Sequence, residues 1–111
     1  MSSKESQNFF DIGDLERLRK KNEKSYLEFL RISSLSAGVY VLAAGSTDTQ
    51  KPHREDEMYY VVRGRARMRI GGEEQAVAAG SIIFVAANVQ HRFYEIAEEL
   101  VVLVFFAPAE S

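Results

Sequence analysis

Imidazole chemistry in this chain rests on His53 and His91, its only two histidines. There is no cysteine, which excludes disulfides, thiolate nucleophiles and cysteine-ligated zinc or iron–sulfur centres. Glu57 follows His53 by four residues, and an imidazole with a carboxylate is a pair able to hold a divalent metal. On a straight strand the two side chains would leave one face about 13 Å apart. Converging on one ion therefore needs a bend, which Arg54-Glu55-Asp56 can supply. A helix would pair them directly, but Pro52 before and Tyr59-Tyr60-Val61-Val62 after argue against one. A third ligand must come from another strand, and His91 lies in one entered through a turn at Asn88. Spacing alone carries the metal hypothesis no further.

The elements that must position these groups are short strands. A chain of 111 residues is one domain with room for a real core. The pattern predicts strands near 26–33, 38–44, 57–63, 65–71, 74–78, 82–86, 91–96 and 100–107, punctuated by Gly45, Gly64, Gly71-Gly72, Gly80 and Asn88. Gly71-Gly72 is a two-residue hairpin signal, since both positions tolerate positive φ. Turns at this regularity indicate an all-β sandwich or barrel. Ahead of it, residues 1–25 read as an arm with a short helix packing on the barrel, capped by Asp14, with Leu15 and Leu18 on one face. Residues 26–111 form the single β domain. The apolar run from Leu100 to Pro108 fits a strand buried on both faces and is less than half of the roughly 20 residues that a membrane span needs. Met1–Asn8 lacks the apolar core of a secretory signal, so a cytoplasmic protein is expected. A net charge of −2 offers no footprint for nucleic acid or anionic membrane. Arg63, Arg65, Arg67 and Arg69 alternate on one face; they would either steer an anionic substrate or form a solvated face balanced by acids such as Glu73 and Glu74.

The chain resembles the cupins in two motifs. The first is glycine, five residues, His-x-His, three or four residues, glutamate, six residues and glycine. Here it runs Gly45, Ser46-Thr47-Asp48-Thr49-Gln50, Lys51-Pro52-His53, three residues to Glu57 and six to Gly64. The second is glycine, five residues, Pro-x-Gly, two residues, histidine, three residues and asparagine. Here it runs Gly80, Ser81-Ile82-Ile83-Phe84-Val85, Ala86-Ala87-Asn88, two residues to His91 and three to Glu95. The resemblance implies a double-stranded β-helix, the jelly-roll barrel, with residues matching His53, Glu57 and His91 ligating a metal inside. Two imidazoles and one carboxylate with open positions suit non-haem iron and oxygen chemistry; Zn²⁺ and Mn²⁺ also fit. Lys51 stands where the family has its first histidine. An ammonium cannot donate a lone pair to a metal. It can turn outward, point inward to bind a substrate anion, or mark a site reduced to a hydrogen-bonded cluster.

Strand alternation places Tyr59 and Val61 on the face of Glu57, and Phe93 and Glu95 on the face of His91, around an expected apolar cavity. Tyr59 would hydrogen-bond substrate or simply fill the barrel. Glu95 would act as a base, support a ligating histidine, or sit at the rim, whereas Glu55 and Asp56 read as exposed loop acids. The leading expectation is a metal-dependent enzyme acting on a small organic molecule, by dioxygenase-like or by isomerase or lyase chemistry, with Lys51 and Tyr59 as candidate catalytic groups. The alternative is a non-catalytic ligand-binding cupin with a reduced or empty metal site. A homodimer is expected by resemblance, with the strand at 26–33 and the run at 100–107 offering surface to cover.

Overall fold

The structure, a computed structural model, describes residues 7–111; the first six residues of the expected arm lie outside it. Helix α1 (Ile12–Lys21) precedes strands β1 (Tyr26–Ile32), β2 (Leu35–Leu42), β3 (Asp56–Ile70), β4 (Glu73–Ala78), β5 (Ile82–Val85) and β6 (His91–Ala107). The backbone of the fold is the antiparallel ladder between β3 and β6, which pairs Asp56 with Ala107 at one end and Ile70 with His91 at the other. Beyond β3 lie β5 against residues 57–60 and β4 against residues 65–70. Beyond β6 lies β2, then β1 at the edge. Gly71-Gly72 closes the β3–β4 hairpin as the dipeptide predicts, pairing Ile70 with Glu73.

The long ladder does not run straight. Its register shifts between Val61 and Arg63, Arg63 and Arg65, and Arg65 and Arg67. Gly64 sits at the centre with φ +100°, and a Cβ there would lie 2.2 Å from the Glu99 carbonyl oxygen, so only glycine fits. On β6, within the shift between the Arg65–Glu98 and Arg67–Tyr94 pairs, Glu95 has φ +47°. Bulges of this kind interrupt a ladder locally and bend it, while the strands go on pairing on either side. The result is a double-stranded β-helix. It also corrects two expectations: 57–63 with 65–71, and 91–96 with 100–107, are each one continuous strand. The positive φ at Glu95 further breaks the expected alternation, leaving Glu95 exposed and turning Ile96 inward beside Phe93.

Tyr59, Val61, Met68, Val85, Phe93, Leu100, Val102, Val104 and Phe106 fill the interior. On the outer face, Ile12 and Leu15 of α1 pack, with Phe29 and Leu103, against Val39, Val41 and Val101. The helix is capped by Asp11, whose side chain accepts from the Asp14 amide at 3.1 Å; Asp14 belongs to the first turn. Leu18, expected on the same face as Leu15, is 46% exposed and stands outside that cluster. Of the two expected cover sites, β1 is an exposed sheet edge, with Ile32 53% exposed, but the second is not available. The 100–107 run is largely buried between β2 and β3. The exposed apolar rows are instead Met58 beside Phe84 and Tyr60 beside Ile82, on the outer face of β3 and β5. Among the described residues, no helix is long and apolar enough to cross a membrane.

Candidate metal centre

Glu57 is the second residue of β3 and points inward, paired with Val85 on one side and Phe106 on the other. His91 opens β6 at the opposite end of the same ladder. Thirteen residues of straight strand from Glu57 to Ile70 would separate these ends by about 43 Å. In the folded chain His91 Nε2 lies 3.1 Å from Glu57 Oε1, so the curl at Gly64 assembles the site. His53 arrives from the irregular segment before β3. A bend at Arg54 and Glu55 brings its Nε2 to 3.8 Å from Glu57 Oε1, which is the fold-back that the spacing required. The Asn88 amide, in a turn with φ +68°, donates to the His53 carbonyl at 2.6 Å and ties the two motifs together.

The donor atoms of His53, Glu57 and His91 all lie within 4.8 Å of one another. Two donors on one ion with bonds of about 2.0–2.2 Å can be at most roughly 4.4 Å apart, a limit that both Glu57 distances respect. Electrostatics points the same way. His91 Nδ1 lies 2.9 Å from the Val89 carbonyl, which can only accept, so Nδ1 carries the proton and the neutral ring turns a lone pair toward Glu57. His91 Nε2 and both Glu57 oxygens are buried without a hydrogen-bond partner. Lone pairs facing one another in a dry interior require a cation between them, either a proton or a metal. Burial lowers the His91 pKa, but Glu57 and the Val89 carbonyl outweigh it and the net shift is upward. The residues present fit a divalent ion.

Around the trio, Gln50 is a group that sequence reasoning missed. Its Oε1 faces His53 Nε2 at 3.2 Å and accepts from the Tyr59 hydroxyl at 3.1 Å. Its amide nitrogen donates to Asp48, itself buried. Tyr59 is fully buried, and burial, reinforced by the Glu57 charge, pushes its phenol well above its usual range. Lys51 is exposed and stands outside the trio, as in the outward reading. Glu55, expected in water, is buried and accepts from the Ser111 amide at 3.1 Å, whereas Asp56 is exposed.

The cavity differs from the expected one. Tyr59, Val61 and Phe93 are packed core, and the open space of about 230 Å³ lies beyond His53, lined by Tyr26, Tyr40, Gln50, Val104, Phe106 and Glu110. Burial, with the Glu110 and Glu28 charges behind it, pushes the Tyr26 phenol up, so it faces this space as a neutral hydroxyl. Burial also raises the Glu110 carboxyl, partly offset by His53. Nothing local in the sequence marks Tyr26 or Glu110, because each reaches the site only through the tertiary fold. The arginine face takes the solvated reading: Arg63 pairs with Glu16, Arg65 with Glu98 and Arg69 with Glu74, while Arg67 donates to the Tyr94 hydroxyl.

A family profile described as a cupin domain matches residues 38–106. The chain belongs to the cupin family. This cupin is 50% identical over 102 residues to an uncharacterised protein of Streptomyces coelicolor, covering 92% of this chain and 97% of that one. Among solved structures it is similar to TT1209 of Thermus thermophilus, with 26% identity, a TM-score of 0.72, and coverage of 93% of this chain and 99% of that one. It is also similar in fold to the DMSP lyase DddQ of Ruegeria pomeroyi, at 22% identity and TM-score 0.65. That match covers 68% of the cupin but only 39% of the lyase chain.

Proposed function

We propose that this cupin is a metal-dependent enzyme acting on a small organic molecule in the cavity beside His53. The observation that carries the reading is Glu57, a buried carboxylate with two imidazoles within reach and no hydrogen-bond donor of its own. His53, Glu57 and His91 would hold one divalent transition-metal ion, with iron, manganese and zinc as the candidates. Such an ion supplies Lewis acidity and, where it is iron, reactivity toward oxygen. The chain's own residues do the rest. Val104 and Phe106 exclude water, the Tyr26 hydroxyl offers a hydrogen bond to a bound molecule, and Tyr59 acts at one remove by holding Gln50. Dioxygenase-like chemistry ranks first because two imidazoles and one carboxylate leave positions for both substrate and oxygen. Lyase or isomerase chemistry follows, with a lyase among the proteins that share the fold.

Metal analysis tests this reading. Stoichiometric metal that disappears in both His53→Ala and His91→Ala is the expected result. A folded wild-type protein that takes up no metal after aerobic and anaerobic reconstitution would overturn it. The same reading includes a homodimer formed through Met58, Tyr60, Ile82 and Phe84, which are 44%, 40%, 68% and 57% exposed. Adjacent exposed rows of this kind are an aggregation liability unless another surface covers them. Phe84→Glu should convert the dimer to a monomer in light scattering; a wild-type protein that stays monomeric at high concentration removes this part.

A further inference from the structure

We propose that Glu110 is the positioning residue that holds His53 in its metal-binding tautomer, an inference that rests on the metal reading above. The two histidines are held differently. His91 has a backbone carbonyl on Nδ1 and begins a strand, so both its tautomer and its direction are set by the fold. His53 comes from an irregular segment, and what faces its Nδ1 is Glu110 Oε2 at 3.3 Å. Glu57 faces the other nitrogen, Nε2. A metal on Nε2 requires the proton on Nδ1, and a carboxylate beside Nδ1 stabilises that form and raises the basicity of the ligating nitrogen.

A competing acceptor makes this positioning necessary. Gln50 Oε1, 3.2 Å from Nε2, favours the opposite tautomer, with the proton on the nitrogen that must bind metal. Gln50 and Glu110 thus stabilise opposite proton placements on one ring. Glu57, at 3.8 Å, lies beyond hydrogen-bond distance of Nε2. The contest is therefore between the neutral Gln50 amide there and the Glu110 carboxylate 3.3 Å from Nδ1, a group able to bring a full charge to the contact. The Glu110 backbone is also held independently of His53: its amide donates to Ser36 Oγ at 2.9 Å and its carbonyl accepts from Arg31 at 2.8 Å. The His53 and Phe106 rings meet edge to face, with centroids 4.8 Å apart, so His53 has an aromatic neighbour as well as the Glu110 carboxylate.

Zn²⁺ affinity, read by competition with a chromophoric chelator, tests the assignment on the full chain. Glu110→Ala should weaken Zn²⁺ binding by about 10- to 100-fold, and Glu110→Gln, which keeps an acceptor without the charge, should lose less. Ser36→Ala cuts the anchor of the segment and leaves the carboxylate, so it should stay close to wild type. Equal losses in Ser36→Ala and Glu110→Ala would assign the effect to anchoring and overturn the proposal. Two-bond ¹H–¹⁵N spectra of the metal-free protein give a readout independent of metal: the His53 proton should sit on Nδ1 in wild type and move to Nε2 in Glu110→Ala. An unchanged tautomer, with Zn²⁺ affinity within about twofold of wild type, would overturn the proposal while leaving the metal reading intact. If wild type binds no metal, the metal reading falls and the tautomer result alone decides the role of Glu110.

Discussion

Asp48 and Glu57 are carboxylates buried to the same degree, 4% and 2% exposed, yet their surroundings are opposite. Asp48 takes hydrogen bonds from the Tyr40 hydroxyl at 2.9 Å, the Phe93 amide at 2.9 Å, the Gln50 side chain at 3.0 Å and the Gln50 amide at 3.3 Å. Glu57 takes none. Leaving a buried carboxylate unsatisfied costs several kcal/mol, so a fold keeps one only where something else completes it. Asp48 is therefore a structural knot that fastens the loop before β3 to β2 and β6. Glu57 has no such partners, and in the metal reading a bound ion is what would complete it. Burial alone does not separate these two roles, whereas the count of donors around each carboxylate does.

The contrast breaks most visibly at Glu57. Glu57→Gln keeps the shape and removes the charge, and should abolish stoichiometric metal uptake as measured by elemental analysis. The same variant, without metal, should unfold in urea no more easily than wild type, because an unpaired buried charge has been removed. Asp48→Ala should reverse the pattern. Stranding the Phe93 amide, the Tyr40 hydroxyl and the Gln50 side chain should cost about 3–5 kcal/mol in chemical denaturation. Similar stability losses in both variants would show that Glu57 is as structural as Asp48, and the distinction would collapse.

A smaller effect sharpens the same contrast from the ligand side. A metal that binds only the folded chain stabilises it by about 2.7 kcal/mol when present at 100 times its dissociation constant. Wild type and Asp48→Asn should both show a rise in Tm on metal addition, whereas Glu57→Gln should show none. A rise retained in Glu57→Gln would place the metal elsewhere.

Much of this was legible in the chain because it is local. The Gly71-Gly72 hairpin, the bend after His53 and the turn at Asn88 each depend on a few consecutive residues, and each appears where spacing puts it. The trio was legible because both histidines fall on motif positions. What escaped was whatever depends on distant partners. Gly64 reads as a terminator, yet β3 runs through it, since pairing to β6 on one side and to β4 and β5 on the other carries the strand across a bulge. Glu95 leaves the expected face because of one positive φ that no sequence period encodes. Asp48 looks like one polar residue in a Ser/Thr loop; its donors come from residues 8 and 45 positions away as well as from nearby Gln50. Glu110 meets His53 across more than half the chain.

The smallest expected effect concerns the residue that looked most consequential in the motif. Lys51 occupies the position of a ligating histidine, and an inward lysine would have recast the site as an anion pocket. The side chain is instead exposed, while its neighbour Gln50 turns in and is held by Asp48. The loop thus presents Gln50 and His53 to the interior and Lys51 to water, an arrangement that Asp48 maintains through both its Gln50 contacts. Lys51→His should therefore leave metal affinity within about twofold, since a ligand pointing into water adds nothing to an ion held by the other three. Tenfold tighter binding would mean that the loop can carry position 51 inward. Asp48 would then be a fastening that yields to metal, and the division between a finished and an unfinished carboxylate would no longer hold at this end of the barrel.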